Sequence, residues 1–392
     1  MDSVELADGR SLVAWITHVT AEADGKPRPA PAGATLAYCF VSALGESGPI
    51  HVLSRRAISL GGVSLVAVDG KSSRKRNSTV AVLAWAGPAQ GASQVYVTKI
   101  SGRGKKLRQT TVTKIRRPRK KSVPNEVADV VLARDPRDGY VVAWSDTRDG
   151  QAEIYAARLS NGLEKRALEK RLTQSPTHAH EPSVLVTTDE VLIAWSQSDA
   201  TTASVHVRAL HRQSLRGKTP AQALLPPTDP TKTKTRQRST KLTPHGKRGA
   251  ILAYINEAAP TTQATTSRAS LALVQLGPGA KILGSRTIAG PSALKVNSFA
   301  IGCDTAQCRG IVFETLAASE DRGRSPLHVR GFTLAANEPL NTSQPRALML
   351  DTLSRGSQQD VGLNATSPGL NRLFFIEAQA GGSTVRSLQL RW

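Results

Sequence analysis

The feature that most constrains the fold of this chain is an internal repeat built around aromatic residues. Three windows share one 19-residue frame, in which a strand ending in Ala-Trp is followed eleven residues later by Tyr or His. They are VLAWAGPAQGASQVYVTKI at 82–100, VVAWSDTRDGQAEIYAARL at 141–159 and LIAWSQSDATTASVHVRAL at 192–210. The windows begin 59 and 51 residues apart, and a repeat of this period that is built from strands indicates a β-propeller rather than a helical solenoid.

The same frame recurs outside these three windows. The C-terminal segment 372–390 keeps it with Phe375 in place of Trp, and three further copies have longer polar turns. The seven aromatic anchors lie 51 to 70 residues apart, and they are Trp15, Trp85, Trp144, Trp195, Tyr254, Phe313 and Phe375. We interpret them as packing residues between neighbouring blades.

Each hairpin is preceded by one further strand and usually followed by another, so the repeat contains strands A to D. The sequence therefore predicts an all-β chain, a single β-propeller domain over 1–392 with seven blades of four antiparallel strands. The expected blades are approximately 1–60, 61–122, 123–178, 179–230, 231–290, 291–350 and 351–392. The last lacks its fourth strand in this chain, so either it has three strands or an upstream segment supplies the fourth.

The hairpin at 143–162, AWSDTRDGQAEIYAARLSNG, carries a more specific pattern. It resembles the repeats of bacterial secreted propellers distantly related to sialidases, which combine Trp-Ser-Asp-x-Arg-x-Gly with Ile-Tyr-x-x-Arg. The matching residues are Trp144, Ser145, Asp146, Arg148, Gly150, Ile154, Tyr155 and Arg158. The resemblance implies the propeller fold and an extracytoplasmic setting, but one fold hosts many activities, so it implies no function.

The cysteines and the N-terminus bear on the compartment. Cys303 and Cys308 flank a short turn between two strand-like segments, where a disulfide is geometrically allowed, and we favour that bridge over two free thiols. Cys39 is expected to be a small buried strand residue. No run of 18 apolar residues exists, and MDSVELADGR has no signal-peptide pattern. Either the protein is cytoplasmic or a leader lies outside this chain; we expect a secreted, periplasmic or cell-surface protein.

The sequence gives little support to an enzyme. It has no Ser-x-Asp-x-Gly-x-Thr-Trp box of the kind true sialidases carry, no phosphate-binding loop and no pattern that calls for a cofactor. Glycoside hydrolysis needs two opposed carboxylates. Candidates at the ends of B strands are Asp146, Glu257, Glu314 and Glu377. We expect all but Glu257 to bond turn amides, and the DTRDG cluster to be structural. We therefore assign no catalytic residue.

One short cluster resembles part of a metal site. His178 and His180 lie on the same side of an extended segment, and Glu181 follows them. A third ligand at a suitable distance is missing, so we interpret this segment as a polar connection entering the fourth blade, and the two histidines as weak metal candidates only.

The positive charge is concentrated in four short segments. Lys71–Arg76, Arg103–Arg108, Lys114–Lys121 and Lys232–Lys241 carry +19 of the formal +22. Strand order places the last two on one face as D–A connections, and the first two on the opposite face. The candidate polyanion-binding residues are Lys114, Arg116, Arg117, Arg119, Lys120, Lys121, Lys232, Lys234, Arg236 and Arg238. The alternative is that these loops are solvated and only keep the protein soluble.

Three functions remain open at this point. We favour a non-catalytic binding or scaffold propeller whose basic loops contact an anionic partner, namely a polysaccharide, a lipid headgroup or an acidic protein. Nucleic acid is unlikely, because no aromatic residues interleave the basic ones. The first alternative is a sialidase-like, carbohydrate-active hydrolase with its site at the central channel mouth; convergent carboxylates and arginines there would favour it. The other is a structural module of an envelope assembly.

Overall fold

The regular structure of the chain is antiparallel β-sheet. The computed structural model describes residues 1–19, 22–23, 26–27, 33–56, 60–68, 78–89, 92–115, 126–135, 137–224, 235–246, 249–258, 268–288, 294–303, 307–316, 327–335, 340, 346–353, 358–367, 370–379 and 382–391. Among these residues, one 3-10 turn at Pro278–Ala280 is the only helical element. No helix in this described part is long and apolar enough to cross a membrane.

The first three sheets each contain four consecutive strands. The first sheet comprises β1 (Asp2–Glu5), β2 (Ser11–Val19), β5 (Gly33–Val41) and β6 (His51–Arg56), with the short ribbon β3 (Glu22–Ala23) and β4 (Lys26–Pro27) between β2 and β5. The second comprises β7 (Gly61–Ala67), β8 (Thr79–Ala89), β9 (Ala92–Ser101) and β10 (Lys106–Thr111). The third comprises β11 (Val127–Arg134), β12 (Tyr140–Asp146), β13 (Glu153–Leu159) and β14 (Lys170–Arg171).

The remaining sheets repeat this plan. The fourth comprises β15 (His178–Val186), β16 (Glu190–Ser198), β17 (Ala203–His211) and β18 (Gln222–Leu224), and the fifth β19 (Thr235–His245), β20 (Gly249–Ala258), β21 (Arg268–Leu276) and β22 (Ile282–Ile288). One parallel residue pair, Ala203 with Arg236, joins these two sets of four strands into an eight-stranded sheet. The sixth comprises β23 (Leu294–Cys303), β24 (Gln307–Leu316), β25 (Leu327–Ala335) and β26 (Arg346–Leu353). The last contains three strands within the described residues, β27 (Gln358–Ser367), β28 (Leu370–Gln379) and β29 (Gly382–Arg391).

These sheets confirm the predicted fold class, an all-β propeller built from four-stranded antiparallel blades. The chain divides into two compact units. The first unit is Met1–Gln174 with Asp360–Asn364 and Phe374–Leu388, and the second is Ser175–Gln359 with Ala365–Leu373 and Gln389–Trp392. The seven blade boundaries and the single domain over 1–392 stay predictions.

Six of the seven aromatic anchors are buried, as expected from their recurrence, and the side chain of the seventh, Phe375, lies outside the described residues. Trp144 is fully buried and lies directly opposite Tyr155 in the β12–β13 hairpin, with the ring centroids 6.1 Å apart. Trp195 stacks in the same way on His206, at 5.6 Å. Apolar clusters occupy the space between consecutive sheets within each unit, so the anchors stabilise both their own hairpin and the contact with a neighbouring sheet.

The first strand of a sheet bonds to the first strand of the next through side chains. In each of three cases, an oxygen in one strand accepts a hydrogen bond from a backbone amide of its neighbour. The pairs are Asp2 Oδ2 with the Leu65 amide at 2.7 Å, Ser64 Oγ with the Leu132 amide at 3.1 Å and Ser183 Oγ with the Leu242 amide at 2.8 Å. Buried amides need such partners, and these bonds fix the register between sheets.

A β-bulge near the start of the first strand recurs in the second to sixth sheets. The bulge residues Gly62, Asp129, Glu181 and Ser239 have φ values of 69°, 50°, 51° and 59°. This backbone conformation is unusual for residues other than glycine, and bulges turn side chains in new directions. Gly62 is required for a second reason, since a Cβ there would lie 2.6 Å from the Val130 nitrogen.

Two segments predicted as connections are strands instead. Most of the basic segment 232–241 lies in β19, where Gln237 is buried and its side-chain oxygen accepts a hydrogen bond from the Val205 amide at 2.7 Å. The prediction of a D–A connection here was wrong. Alternating polar residues such as Thr, Arg, Gln and Lys can form a strand when those on one face, such as Gln237, find hydrogen-bond partners inside the protein. Similarly, 178–181 forms the start of β15.

The cysteines behave as the sequence indicated. Cys303 and Cys308 lie opposite each other in β23 and β24 and form a disulfide. Cys39 is a free, buried cysteine of β5, and burial raises the pKa of its thiol to about 11.

Candidate functional site

The DTRDG hairpin of the third sheet is a structural network. The buried carboxylate of Asp146 accepts hydrogen bonds from the Arg148 amide at 2.8 Å and from the Trp144 indole at 3.3 Å, and it pairs with the Arg148 guanidinium. Arg148 also pairs with Glu169 and lies over the Tyr155 ring, 4.4 Å from its centroid. This carboxylate bonds its own turn, which confirms the interpretation of the cluster as structural.

A different cluster of charges converges within the second unit. Glu257, near the end of β20, lies between two cations: Lys295 Nζ is 2.5 Å from its Oε1 and Arg238 Nε is 3.6 Å from its Oε2. Arg238 comes from β19 and Lys295 from β23, so two adjacent sheets contribute to the cluster. The three side chains are only partly buried, with 18% of Glu257, 27% of Lys295 and 33% of Arg238 exposed, so solvent reaches all of them.

The bulges bring a second glutamate to the same stretch of β19. Glu181, the bulge residue of β15, accepts a hydrogen bond on its Oε2 from the amide of Ser239, the bulge residue of β19. The hydroxyl of Thr240 bonds the Glu181 carbonyl oxygen at 2.6 Å. Ser239 directly follows Arg238, so Glu181 and Glu257 bind neighbouring residues of one strand. Glu181 and Ser239 both have a positive φ, a backbone conformation that often occurs at functional sites.

The cluster has the chemical groups that glycoside hydrolysis requires. Two cations beside Glu257 favour its ionised form, which suits a general base or a nucleophile. Glu181 supplies a second carboxyl group to the cluster. In a propeller the first strands of the blades surround the central channel, and β15, β19 and β23 are all first strands.

The other carboxylates proposed from sequence are placed differently. Glu314 is buried and accepts a hydrogen bond from Arg330 at 2.8 Å, so it belongs to the interior of the sixth sheet. We expected it to bond turn amides, and this hydrogen bond comes from a side chain of β25. The side chain of Glu377 lies outside the described residues.

Three of the proposed polyanion-binding residues lie in the described part of the chain. Lys114 is exposed in the first unit; in the second, Arg236 is exposed and Arg238 belongs to the Glu257 cluster. The guanidinium of Arg236 donates to the Ala200 carbonyl oxygen at 3.4 Å. The other seven lie outside the described residues, namely Arg116, Arg117, Arg119, Lys120, Lys121, Lys232 and Lys234. Polyanion binding by these residues stays a prediction.

The two histidines considered as metal candidates lie on β15, beside the bulge. The His180 ring bonds the Ser198 hydroxyl through Nε2 at 2.7 Å, and His178 is exposed at the strand start. The part of the chain that the structure describes contains no group of three or more His, Cys, Asp or Glu side chains that would hold a metal ion. The segment carries the bulge residue Glu181.

Sequence reasoning identified Glu257 and Arg238 separately and missed the rest of the cluster. Lys295 is 38 residues from Glu257, and Glu181 is 58 residues from Ser239, with a sheet change in each interval. Polar residues near the start of each first strand could have indicated the cluster. They did not stand out in the sequence, because the bulge shifts the alternation of buried and exposed side chains by which a strand is recognised.

No family model matches this chain, and no curated protein matches it. Solved structures do resemble it. They include the α-L-arabinanase of Penicillium chrysogenum in complex with arabinobiose, at 11% identity over 81% of this chain and 92% of that one, with a TM-score of 0.45. They also include the endo-arabinase of Bacteroides thetaiotaomicron, at 10% identity over 67% and 94%, with a TM-score of 0.38.

A subtype N10 neuraminidase-like protein of A/little yellow-shouldered bat/Guatemala/060/2010 matches at 6% identity over 68% of this chain and 96% of that one, with a TM-score of 0.36. Identities this low show similarity of fold alone.

The interpretation as a non-catalytic binding or scaffold propeller was wrong. The matched structures include four arabinanases or arabinases, which is the finding against that interpretation, although the likeness itself shows the fold alone. The sequence had left the carbohydrate-active alternative open, on the condition that carboxylates and arginines converge at the mouth of the central channel. Within the second unit, Glu181 and Glu257 contact the neighbouring residues Ser239 and Arg238.

Proposed function

We propose that the chain is a carbohydrate-active hydrolase that cleaves glycosidic bonds at the cluster of Glu181, Arg238, Glu257 and Lys295. The observation that carries the proposal is the convergence of two glutamates on consecutive residues of β19, with Arg238 and Lys295 bound to one of them. Hydrolysis of a glycoside needs one carboxyl group as acid and one carboxylate as base or nucleophile.

Glu257 is the better candidate for the ionised partner. Its two cations stabilise the carboxylate and hold it in one orientation, while its partial exposure leaves it accessible to a sugar or a water molecule. Glu181 is assigned the acid role as the second carboxyl group of the cluster, since its Oε2 accepts a hydrogen bond from the Ser239 amide, next to Arg238 on β19. A general acid of this kind protonates the leaving oxygen as the glycosidic bond breaks.

We further propose that the substrate is an anionic or neutral polysaccharide and that the protein is located outside the cytoplasm. The disulfide between Cys303 and Cys308 supports that location, since such bonds persist mainly in oxidising compartments. Arg236, exposed on the strand that carries Arg238, is a candidate contact for acidic groups on the sugar.

The test is reducing-sugar release from a panel of neutral and acidic polysaccharides by the wild-type chain and its variants. Glu257→Gln keeps the shape of the side chain and should lower kcat by about 10³-fold or more, because the ionised group is lost. Glu46→Gln, at an exposed glutamate of the first unit, is the matched control and should have wild-type activity.

Glu181→Gln separates the two roles. It should abolish hydrolysis of polysaccharides but leave activity on aryl glycosides whose phenolate departs without protonation. Equal loss on both substrates would remove the acid role from Glu181. A wild-type chain that cleaves nothing in the panel, or a Glu257→Gln variant that retains full activity, would refute the proposed function.

A further inference from the structure

The outer edge of the second sheet carries a dense set of cations with few acids nearby. From Lys99 to Lys114 the sequence has six Lys or Arg and no Asp or Glu. All but Lys99 of these are exposed, and most lie on β10 or on the turn before it. We call the following set the basic edge: Lys99, Arg103, Lys105, Lys106, Arg108, Lys114 and Lys165.

The pairing within this edge places like charges together. Lys99 of β9 is directly opposite Arg108 of β10 in the antiparallel register. Like charges in this position destabilise a sheet. The pKa of Lys99 is lowered, first by its partial burial and then by the charge of Arg108. The edge therefore carries an electrostatic cost in the isolated protein.

The adjoining connection of the third sheet extends the same surface. Lys165 lies close enough to Lys114 for the two charges to interact, and the pKa of Lys165 is lowered, mainly by burial. The Arg108 guanidinium bonds Glu164 at 2.7 Å, which joins β10 to the segment between β13 and β14. Because both side chains of this pair are about half exposed, the bond contributes little stability.

The acids beside the basic edge are already engaged. Glu164 bonds the Ser160 hydroxyl as well as Arg108, and Glu169 pairs with Arg148 of the DTRDG network. Clustered cations of this kind raise the local concentration of anions and attract polyanions. An anionic ligand would relieve the repulsion between Lys99 and Arg108 on binding.

We propose that the basic edge is a binding surface for a linear polysaccharide that bears carboxylate or sulfate groups. Its charges follow an edge strand, which suits an extended chain with charges at intervals. The apolar residue exposed among them is Leu107, and none of the seven residues is aromatic; the His51 ring beside Gly104 is already stacked on Tyr38 and so is not free for a nucleic-acid base. The surface belongs to the first unit, so it does not depend on the proposed hydrolase site in the second.

The test compares the full wild-type chain with one triple variant and one double variant. K99Q/K114Q/K165Q removes three lysines and keeps the Arg108–Glu164 pair. R216Q/K281Q neutralises two exposed cations of the second unit and serves as the control. Binding to heparin, to polygalacturonate, to double-stranded DNA and to vesicles of phosphatidylglycerol is measured by calorimetry over a salt series.

The expected result is that wild type binds one of the two polysaccharides in a salt-dependent manner, and that the triple variant binds it at least tenfold more weakly. The logarithm of its affinity should also fall less steeply with salt, by roughly two in slope. Its unfolding midpoint should stay equal or rise, because repulsion is removed. The control should bind as the wild type does.

Three results would overturn the proposal. Equal polysaccharide binding by the triple variant and the wild type would leave the lysines as protection of an edge strand against pairing. Tighter binding to DNA or to vesicles than to either polysaccharide would assign a different partner. A lower unfolding midpoint of the triple variant would show that its weaker binding results from damaged structure. None of these readouts involves hydrolysis, so failure here is distinguishable from failure of the proposed activity.

Discussion

Replacement of Trp144 tests whether the aromatic anchors hold the sheets together. Trp144 is fully buried, and a buried Trp removes about 150–250 Å² from water. At about 25 cal/mol per Å² this burial contributes roughly 4–6 kcal/mol. The methyl group that remains and residual burial in the unfolded chain reduce the difference, so Trp144→Ala should lower the free energy of unfolding by about 3–5 kcal/mol.

The assay is urea denaturation followed by far-UV circular dichroism, which does not depend on tryptophan fluorescence. Leu168→Ala is the control, because Leu168 lies in the connection between β13 and β14 of the same sheet and is 87% exposed. Trp144→Phe separates the ring from the indole bond to Asp146 and should cost about 1 kcal/mol more than the control. A shift for Trp144→Ala no larger than that for Leu168→Ala would refute the packing role of the anchors.

Three further predictions concern the register, the bridge and one turn. Ser183→Ala leaves the buried Leu242 amide without its partner and should lower the free energy of unfolding by about 1–3 kcal/mol in urea denaturation. A change within experimental error would contradict the role of the inter-sheet bond. Thiol counting on denatured protein from an oxidising host should find one reactive thiol; three would disprove the Cys303–Cys308 disulfide. The pKa of Asp199 is lowered to about 2, because its carboxylate accepts hydrogen bonds from two following backbone amides. That stabilisation is present above about pH 3.8 and is lost as the pH falls towards 2, so Asp199→Ala should lower the melting temperature at pH 6 but not at pH 2; an equal difference at both values would rule out the charge as its source.

The repetition of the fold was readable because it depends on local sequence. A Trp at the end of one strand and a Tyr or His eleven residues later meet across a hairpin, as Trp144 meets Tyr155 and Trp195 meets His206. Hairpins of this kind involve residues close in sequence, so their spacing is visible without a structure. The first strands were harder to delimit, since β15 and β19 begin in polar segments that composition assigns to connections.

The candidate site was mostly hidden for a related reason. It depends on bulges at Glu181 and Ser239, and a bulge is a property of the pairing between two strands rather than of one sequence window. Glu257 was visible as a carboxylate at a strand end, but its partner Lys295 lies in the next sheet. Contacts between sheets require the register between them, which side-chain bonds such as that of Ser183 determine only in the folded chain.

The burial of Cys39 has a consequence for thiol chemistry in a chain that carries one bridge and one odd cysteine. Attack on a disulfide requires a thiolate. With a pKa of about 11, roughly one Cys39 thiol in 10⁴ is ionised at pH 7, about a hundredfold fewer than for an ordinary cysteine. The Cys39 thiol is therefore almost unreactive as long as β5 stays paired. Its attack on the Cys303–Cys308 disulfide requires that this strand first opens.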